Sequence, residues 1–266
     1  MSKKLFSIIT AVLNAKDDLQ TTIDSLKKQT FQNFEYIIID GGSTDGTLDI
    51  IKNNLGIIDK WQSQNDSGIY DAMNKGINLC EGQYIGMLNA GDTYTKHGLE
   101  IIHNYLTNNP NLNFIFGTVI KKIIKHGYRK YRILWNFDFS TSHSSGFFIE
   151  KKSQEKLGKY NLKYKISSDY DLFYRMIVKE KMIGLATKKD ELVGVFKSGT
   201  SYSSTFTFLE HLIEETRIRI DNKQNLLIVF LIFSNHYLKN VKKIDLPNRL
   251  KSMIPIFLDI LKKYKY

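Results

Sequence analysis

Phe34-Glu35-Tyr36-Ile37-Ile38-Ile39-Asp40-Gly41-Gly42-Ser43-Thr44-Asp45-Gly46-Thr47 reads as a strand, a tight turn and the opening of a helix. Its apolar run suits a strand buried on both faces, and the run ends on a carboxylate, Asp40. Leu48, Ile51 and Leu55 then follow at helical spacing. Upstream, Phe6-Ser7-Ile8-Ile9-Thr10-Ala11-Val12 predicts another strand, rich in β-branched residues. Asp18 to Gln29 carries Leu19, Ile23 and Leu26 as a helix stripe, with Asp17 or Asp18 as the expected cap. Downstream, Tyr84-Ile85-Gly86-Met87-Leu88 predicts a buried strand, and Asn89-Ala90-Gly91-Asp92 delivers a second acid on a turn of small residues. Strand and helix alternate, which predicts an α/β fold with a mainly parallel, Rossmann-like sheet flanked by helices. Ligands of such sheets bind beyond the carboxyl ends of the strands, where Asp40 and Asp92 both fall. An acid at Asp92 suits magnesium or manganese, which take few protein oxygens and fill their shells with phosphate and water. The bland alternative is an Asx turn or a helix cap.

Four motifs occur in order. They are Ser7-Ile8-Ile9-Thr10-Ala11-Val12-Leu13-Asn14, Ile38-Ile39-Asp40-Gly41-Gly42-Ser43-Thr44-Asp45-Gly46-Thr47, Asp66-Ser67-Gly68-Ile69-Tyr70-Asp71-Ala72-Met73-Asn74-Lys75-Gly76 and Leu88-Asn89-Ala90-Gly91-Asp92. Together they resemble the family 2 glycosyltransferases of the GT-A fold, in particular the bacterial branch that builds colanic-acid, capsule and O-antigen polysaccharides. The resemblance implies an inverting transfer of a sugar from a nucleotide diphosphate donor, usually a UDP-sugar, with Mn2+ or Mg2+ as cofactor. It implies a saccharide or lipid-linked saccharide as acceptor. It places Asp40 and Asp66 at the uridine, with Thr10, Ala11, Asn14, Met73, Asn89, Ala90, Gly91 and Asp92 around the nucleotide sugar. Two departures stand out. Many relatives carry an arginine at the position of Met73, and many carry a pair of acids where this chain has Asn89 and Gly91, leaving Asp92 as the metal ligand.

Inversion needs an acid that takes the acceptor's proton. Lys165-Ile166-Ser167-Ser168-Asp169-Tyr170-Asp171-Leu172-Phe173-Tyr174-Arg175-Met176 resembles the family's acidic region before a helix, and Asp169 aligns with the base. The same residues also make a helix N-cap, with Ser168 as the cap, and Asp171 is the alternative acid. Ser142-His143-Ser144-Ser145-Gly146-Phe147-Phe148-Ile149 resembles a segment facing donor and acceptor, which makes His143 an acceptor contact or, on the bland reading, a satisfied polar residue.

Composition agrees. The 266 residues are 42% hydrophobic, enough to bury a core. One cysteine, Cys80, allows no internal disulfide, suits a reducing compartment and sits in an apolar helix pattern. Met1-Ser2-Lys3-Lys4 leads straight into a strand, which reads as a start without a secretory leader. No apolar run reaches the ~18 residues of a membrane span. The histidines show no zinc-ligand spacing, and neither the dinucleotide glycine fingerprint nor a phosphate-loop motif occurs.

The formal charge of +11 lacks any nucleic-acid-binding motif to go with it. Asn225-Leu226-Leu227-Ile228-Val229-Phe230-Leu231-Ile232-Phe233 precedes Lys239, Lys242, Lys243, Arg249, Lys251, Lys262, Lys263 and Lys265, interleaved with apolar residues. This is the pattern of basic amphipathic helices. Three occupants fit residues 222–266: the cytoplasmic membrane face, the α/β unit itself, or a second subunit of a homo-oligomer. The expected division is 1–203 for the α/β unit and 204–266 for a helical, basic appendage, with a boundary in the Ser/Thr-rich stretch from Ser201 to Thr207. The expected protein is cytoplasmic, peripheral to the inner membrane face. The competing function is a nucleotide-sugar-binding scaffold of the same fold without turnover, prompted by the thinned metal motif.

Overall fold

The structure, a computed structural model, describes residues 4–135, 143–197 and 206–240. A seven-stranded mixed sheet runs through it in the order β10-β6-β9-β4-β1-β2-β3. The strands are β1 (Phe6–Val12), β2 (Phe34–Asp40), β3 (Lys60–Ser63), β4 (Tyr84–Met87), β6 (Phe114–Phe116), β9 (Phe147–Glu150) and β10 (Gly184–Ala186). β1 lies parallel to both β2 and β4. β9 is inserted antiparallel between β4 and β6, a reversal that no local pattern announces. A second sheet of β5 (Thr93–Tyr94), β11 (Leu192–Val195), β7 (Thr118–Lys121) and β8 (Ile123–Lys125) packs beside it.

β1 and β2 are buried along their whole length, which is why both read as continuous apolar runs. Successive side chains alternate between two cores. Ile9, Ile37, Ile39, Ile85 and Met87 face one core with Tyr70, Ala72 and Met73 of α3 (Ile69–Leu79). Phe6, Ile8, Phe34, Tyr36 and Ile38 face the other, with Leu19, Ile23 and Leu26 of α1 (Lys16–Lys27), Ile51 of α2 (Thr47–Asn53), and Leu99 and Ile102 of α4 (Gly98–Asn108). Cys80, just past α3, fills the first core.

Register brings the functional edge together. Val12 pairs with Asp40, and Ile9 pairs with Met87, so β1, β2 and β4 end at one side of the sheet. Their loops, with the first turn of α3, form that rim.

After α5 (Lys151–Leu157), α6 (Ser168–Tyr174) continues into a wider, π-type turn over Arg175–Lys179. Two expected caps differ. α1 starts after Ala15 without a side-chain cap, so Asp17 and Asp18 sit inside its first turn and complement the helix dipole there. α6 starts after Ser167, and the Ser168 hydroxyl donates to the Asn161 carbonyl instead of capping.

The boundary expected near 203 lies outside the described residues, as does everything from 241 to 266. The residues from Phe208 to Asp221 read as a helix, and α7 (Phe208–Asp221) has that extent, opening on a capping box between Thr207 and Glu210. It packs into the α/β unit. Ile218 joins the first core, and the buried Arg219 reaches the Leu134 carbonyl at 3.0 Å and Gln224 Oε1 at 2.9 Å. α8 (Leu226–Lys239) is capped by Asn225 and lies against α7, burying Val229 and Ile232. Among the described residues, no helix is long and apolar enough to cross a membrane.

Candidate functional site

A cleft of about 400 Å³ opens at the carboxyl ends of β1 and β4, beside the first turn of α3. Ala11, Asn14, Asp66, Asn89, Ala90 and Asp92 all line it, so six of the expected donor residues meet there. Asp18, Ile69, Ala72, Phe196 and Lys197 line it as well.

Thr10, Asp40, Met73 and Gly91 are not part of this lining. Thr10 points to the opposite face and donates to the Leu88 carbonyl at 2.6 Å. Met73 is packed in the first core. Asp40 is fully buried and turned into its own loop. Its Oδ2 accepts from the Gly42 N–H at 3.1 Å, the Ser43 N–H at 3.0 Å and the Ser63 hydroxyl at 2.7 Å, and its Oδ1 accepts from the Ser43 hydroxyl. The loop is stitched across to β1. Asn14, in the left-handed region at φ 48°, accepts from the Thr44 N–H at 2.9 Å and donates its own N–H to Ser43 Oγ at 2.7 Å. Asp45 accepts from the Thr47 hydroxyl and from the backbone N–H groups of Lys16 and Thr47, and these bonds, the hydroxyl first, hold its carboxyl below the usual range. Asp66 forms the Asx turn that its composition predicts, accepting from the Gly68 N–H at 2.9 Å, and still faces the cleft.

The turn after β4 is braced from behind by Thr22 of α1. The Thr22 hydroxyl accepts from the Gly91 N–H at 2.9 Å and donates to the Asp92 carbonyl at 2.8 Å. Asp92 is buried, and its Oδ1 accepts from the Lys197 N–H at 2.8 Å. Its Oδ2 is buried without a partner, and so is Asn89 Oδ1. Burial pushes the Asp92 carboxyl up to about 6, opposed by the nearby Ser144 hydroxyl, the Lys197 N–H and the charge of Lys121. Ser144 does not complete a hydrogen bond to Oδ2; its oxygen accepts from the Asn89 N–H at 2.9 Å. Two unpartnered oxygens, one anionic, fit a hard divalent cation. Among the described residues, no group of three or more His, Cys, Asp or Glu could hold an ion alone. Further oxygens would have to come from the ligand.

Asp169, the second residue of α6, is not part of the cleft lining and is tied to it through Tyr70. The Tyr70 hydroxyl, next to the cleft-lining Ile69, shares its one proton between the Ile166 carbonyl at 2.9 Å and Asp169 Oδ1 at 3.0 Å, and the Tyr170 N–H donates to the same Asp169 oxygen at 2.9 Å. Among the described residues, Asp169 Oδ2 accepts no hydrogen bond. Lys121, its ammonium 4.1 Å from the centre of the Phe196 ring, feels the charges of both Asp92 and Asp169. Asp171, the alternative acid, is buried and fully engaged with Arg175 Nε at 2.9 Å and Asn222 Nδ2 at 2.8 Å. The segment before Asp169 is held by α7: Glu214 accepts from the backbone N–H groups of Lys165, Ile166 and Ser167 at 2.9, 2.7 and 2.6 Å. His143 sits against Phe147, Tyr160 and Phe173 and shares a 2.6 Å hydrogen bond with the Tyr160 hydroxyl. Desolvation lowers its pKa, and the charge of Asp169 opposes that.

Residues 7–168 match the sequence family described as glycosyl transferase family 2. The chain belongs to glycosyltransferase family 2. A PGL/p-HBAD biosynthesis glycosyltransferase of Mycobacterium bovis BCG is 32% identical to this family 2 chain over 183 residues, covering 66% of it and 70% of the relative. The fold is similar to that of Staphylococcus aureus TarS, residues 1–349, solved in complex with UDP-GlcNAc: the TM-score is 0.69 at 15% identity, over 92% of this chain and 77% of that one. The chain spans 43% of the longer TarS structure. It is also similar to the mannosyltransferase PcManGT of Pyrobaculum calidifontis, solved with GDP-Man and Mn2+, at a TM-score of 0.61 and 11% identity, over all of this chain and 82% of that one. These likenesses establish a GT-A-like mixed α/β fold.

Sequence reasoning missed Asp18, Phe196 and Lys197 in the cleft of this glycosyltransferase family 2 chain. Asp18 carried only the signal of a helix start. Phe196 and Lys197 follow a strand that joins the site through pairing with β5 and β7, and no motif marks them.

Proposed function

We propose that this chain is an inverting glycosyltransferase that moves a hexosyl or N-acetylhexosaminyl group from a UDP-sugar to a surface-polysaccharide or lipid-linked saccharide acceptor. One observation carries the reading. A cleft at the strand ends offers the unpartnered buried oxygens of Asp92 and Asn89, while Asp169 is tied through Tyr70 to the helix turn that lines it and, among the described residues, accepts hydrogen bonds on Oδ1 alone. The similarity to a PGL/p-HBAD biosynthesis glycosyltransferase and to a fold solved with UDP-GlcNAc supports it.

Ala11, Asn14, Asp66 and Ala90 line the donor seat, with Asp66 assigned to the uridine. Asp40 serves that seat by shaping the loop beneath it, through Gly42 and Ser43. Asp92, with Asn89 Oδ1 beside it, would hold Mn2+ or Mg2+. When bound, such an ion supplies positive charge to the diphosphate. Asp169 accepts the acceptor hydroxyl proton on Oδ2 as the acceptor's oxygen attacks the anomeric carbon. The bond from the anomeric carbon to the diphosphate oxygen breaks, and its electron pair leaves with UDP. Tyr70 orients Asp169, and His143 with Tyr160 borders the acceptor side.

Thermal melts of the full chain with Mn2+ and a panel of nucleotide sugars test the donor assignment. A matching donor at 100 times its Kd adds about 2.7 kcal/mol, a rise of a few degrees in Tm for a chain of this size. A panel in which no nucleotide sugar or nucleoside diphosphate moves the melt contradicts the reading. Binding without turnover supports the scaffold alternative that the single-acid turn suggests.

The acceptor reading extends to the cytoplasmic membrane face. α8 leaves Leu227 (67%), Phe230 (61%), Leu231 (53%) and Leu238 (68%) exposed along one side. Seven lysines and arginines follow within 241–266: Lys242, Lys243, Arg249, Lys251, Lys262, Lys263 and Lys265. An apolar stripe joined to a basic stretch suits an anionic lipid surface. The full chain is expected to sediment with phosphatidylglycerol vesicles at low salt and release at high salt as charge is screened. A chain that stays in the supernatant at low salt contradicts this part of the proposal.

A further inference from the structure

The cleft lining carries three carboxylates, Asp18, Asp66 and Asp92, against the ammonium of Lys197. Lys121 does not serve here, because its ammonium lies over Phe196 and it is not part of the lining. A diphosphate seated among three acids needs cations beside it, since unneutralised like charges in a partly desolvated cleft are costly.

Lys197 is tied at three points. Its backbone N–H donates to Asp92 Oδ1 at 2.8 Å. Its stem crosses Gly91, with Cδ 2.9 Å from where a Cβ at that position would stand. Its ammonium pairs with Asp18. Gly91 adopts φ +90°, in the left-handed region, and without a side chain it lets the lysine stem lie against the metal-binding turn. The backbone of Lys197 is therefore anchored at the acid, whereas its side chain is 46% exposed and free of packing on that side, opposite an Asp18 side chain that is 16% exposed.

We propose that Lys197 is a donor-diphosphate contact, parked on Asp18 while the cleft holds no donor and exchanged onto phosphate oxygens when one binds. This rests on the nucleotide-diphosphate reading of the cleft. The exchange needs only rotation about side-chain bonds, because the neighbouring Asp92 already fixes the backbone. An ammonium is a suitable phosphate partner, with three donors on a flexible stem. Asp18 then acts as a competitor whose removal frees the lysine.

The test measures affinities of UDP and uridine for the full chain, with Mn2+ and with a chelator. Lys197→Met should weaken UDP by about 10-fold, the scale of one charge-assisted hydrogen bond, and change uridine by less than about twofold. Lys197→Gln should repeat that split, and Lys197→Arg should keep most of the UDP affinity. The loss should persist with the chelator, which separates it from the ion at Asp92. Asp18→Asn should strengthen UDP about threefold in the native chain and by clearly less in the Lys197→Met background. Equal losses for UDP and uridine would overturn the diphosphate contact. An equal gain from Asp18→Asn in both backgrounds, or a loss in the native chain, would overturn the parking. A native chain that binds no nucleoside diphosphate at all would remove the donor reading itself, and this proposal with it.

Discussion

Asp169→Asn is expected to lower sugar transfer by about 100-fold or more while UDP affinity stays within about twofold. Asn keeps the size of the side chain and can still accept from Tyr70 and from the Tyr170 N–H through its carbonyl oxygen. What it loses is an oxygen able to take a proton. The donor contacts are assigned to residues that line the cleft, which Asp169 does not, so binding and chemistry should separate. Asp171→Asn provides the contrast. That acid is buried between Arg175 and Asn222, so its loss should lower stability more than it lowers transfer. Single-turnover assays alongside melting curves read both. Near-native transfer by a folded Asp169→Asn chain would remove Asp169 from the base role, and a collapse confined to Asp171→Asn would move the role there.

Asp92→Ala is expected to cut Mn2+-dependent UDP affinity by at least about 100-fold, beyond the range seen when only outer partners of a metal site are lost. Asp92 is the carboxylate of the turn, and its Oδ2 lies buried with nothing bonded to it. Asn89 Oδ1 cannot substitute, because a neutral amide oxygen holds a divalent ion far more weakly than a carboxylate. The fold should tolerate the change. Removing an anion whose own burial disfavours its charge, shown by a carboxyl pushed up to about 6, offsets much of the lost packing. Calorimetric titrations of UDP with Mn2+ and with a chelator give the comparison directly. In the native chain the two should differ widely; in Asp92→Ala they should converge. An unchanged difference in a folded variant would refute the assignment.

Much of this architecture is legible from residues alone, for a physical reason. β1 and β2 are buried on both faces, so their apolar runs are unbroken and their ends are marked by polar turns. The α7 helix, Phe208–Asp221, is legible as a helical stretch that follows the Ser/Thr-rich one, while its Thr207 cap is seen only in the fold. The positions of Asp40 and Asp92 follow from strand ends, but the direction of a carboxylate does not. Asp40 turns back onto Gly42, Ser43 and Ser63, a choice set by loop geometry that composition leaves open. The antiparallel β9 and the small sheet of β5, β11, β7 and β8 depend on pairings between distant segments, such as Gly194 with Tyr94. Leu192-Val193-Gly194-Val195-Phe196 reads as strand-like on its own, but its residues do not say which strands it pairs with. Lys197 enters the cleft by that route, and so its role becomes visible only when the chain is folded.

The most direct test is a time course of the full chain with Mn2+, an α-configured UDP-sugar identified by the thermal panel and a saccharide acceptor, followed by proton NMR at the anomeric signals. UDP should accumulate in step with a β-configured product, since Asp169 drives attack from the face opposite the leaving diphosphate. A product of retained α configuration, or a bound donor that is never turned over, would contradict the account.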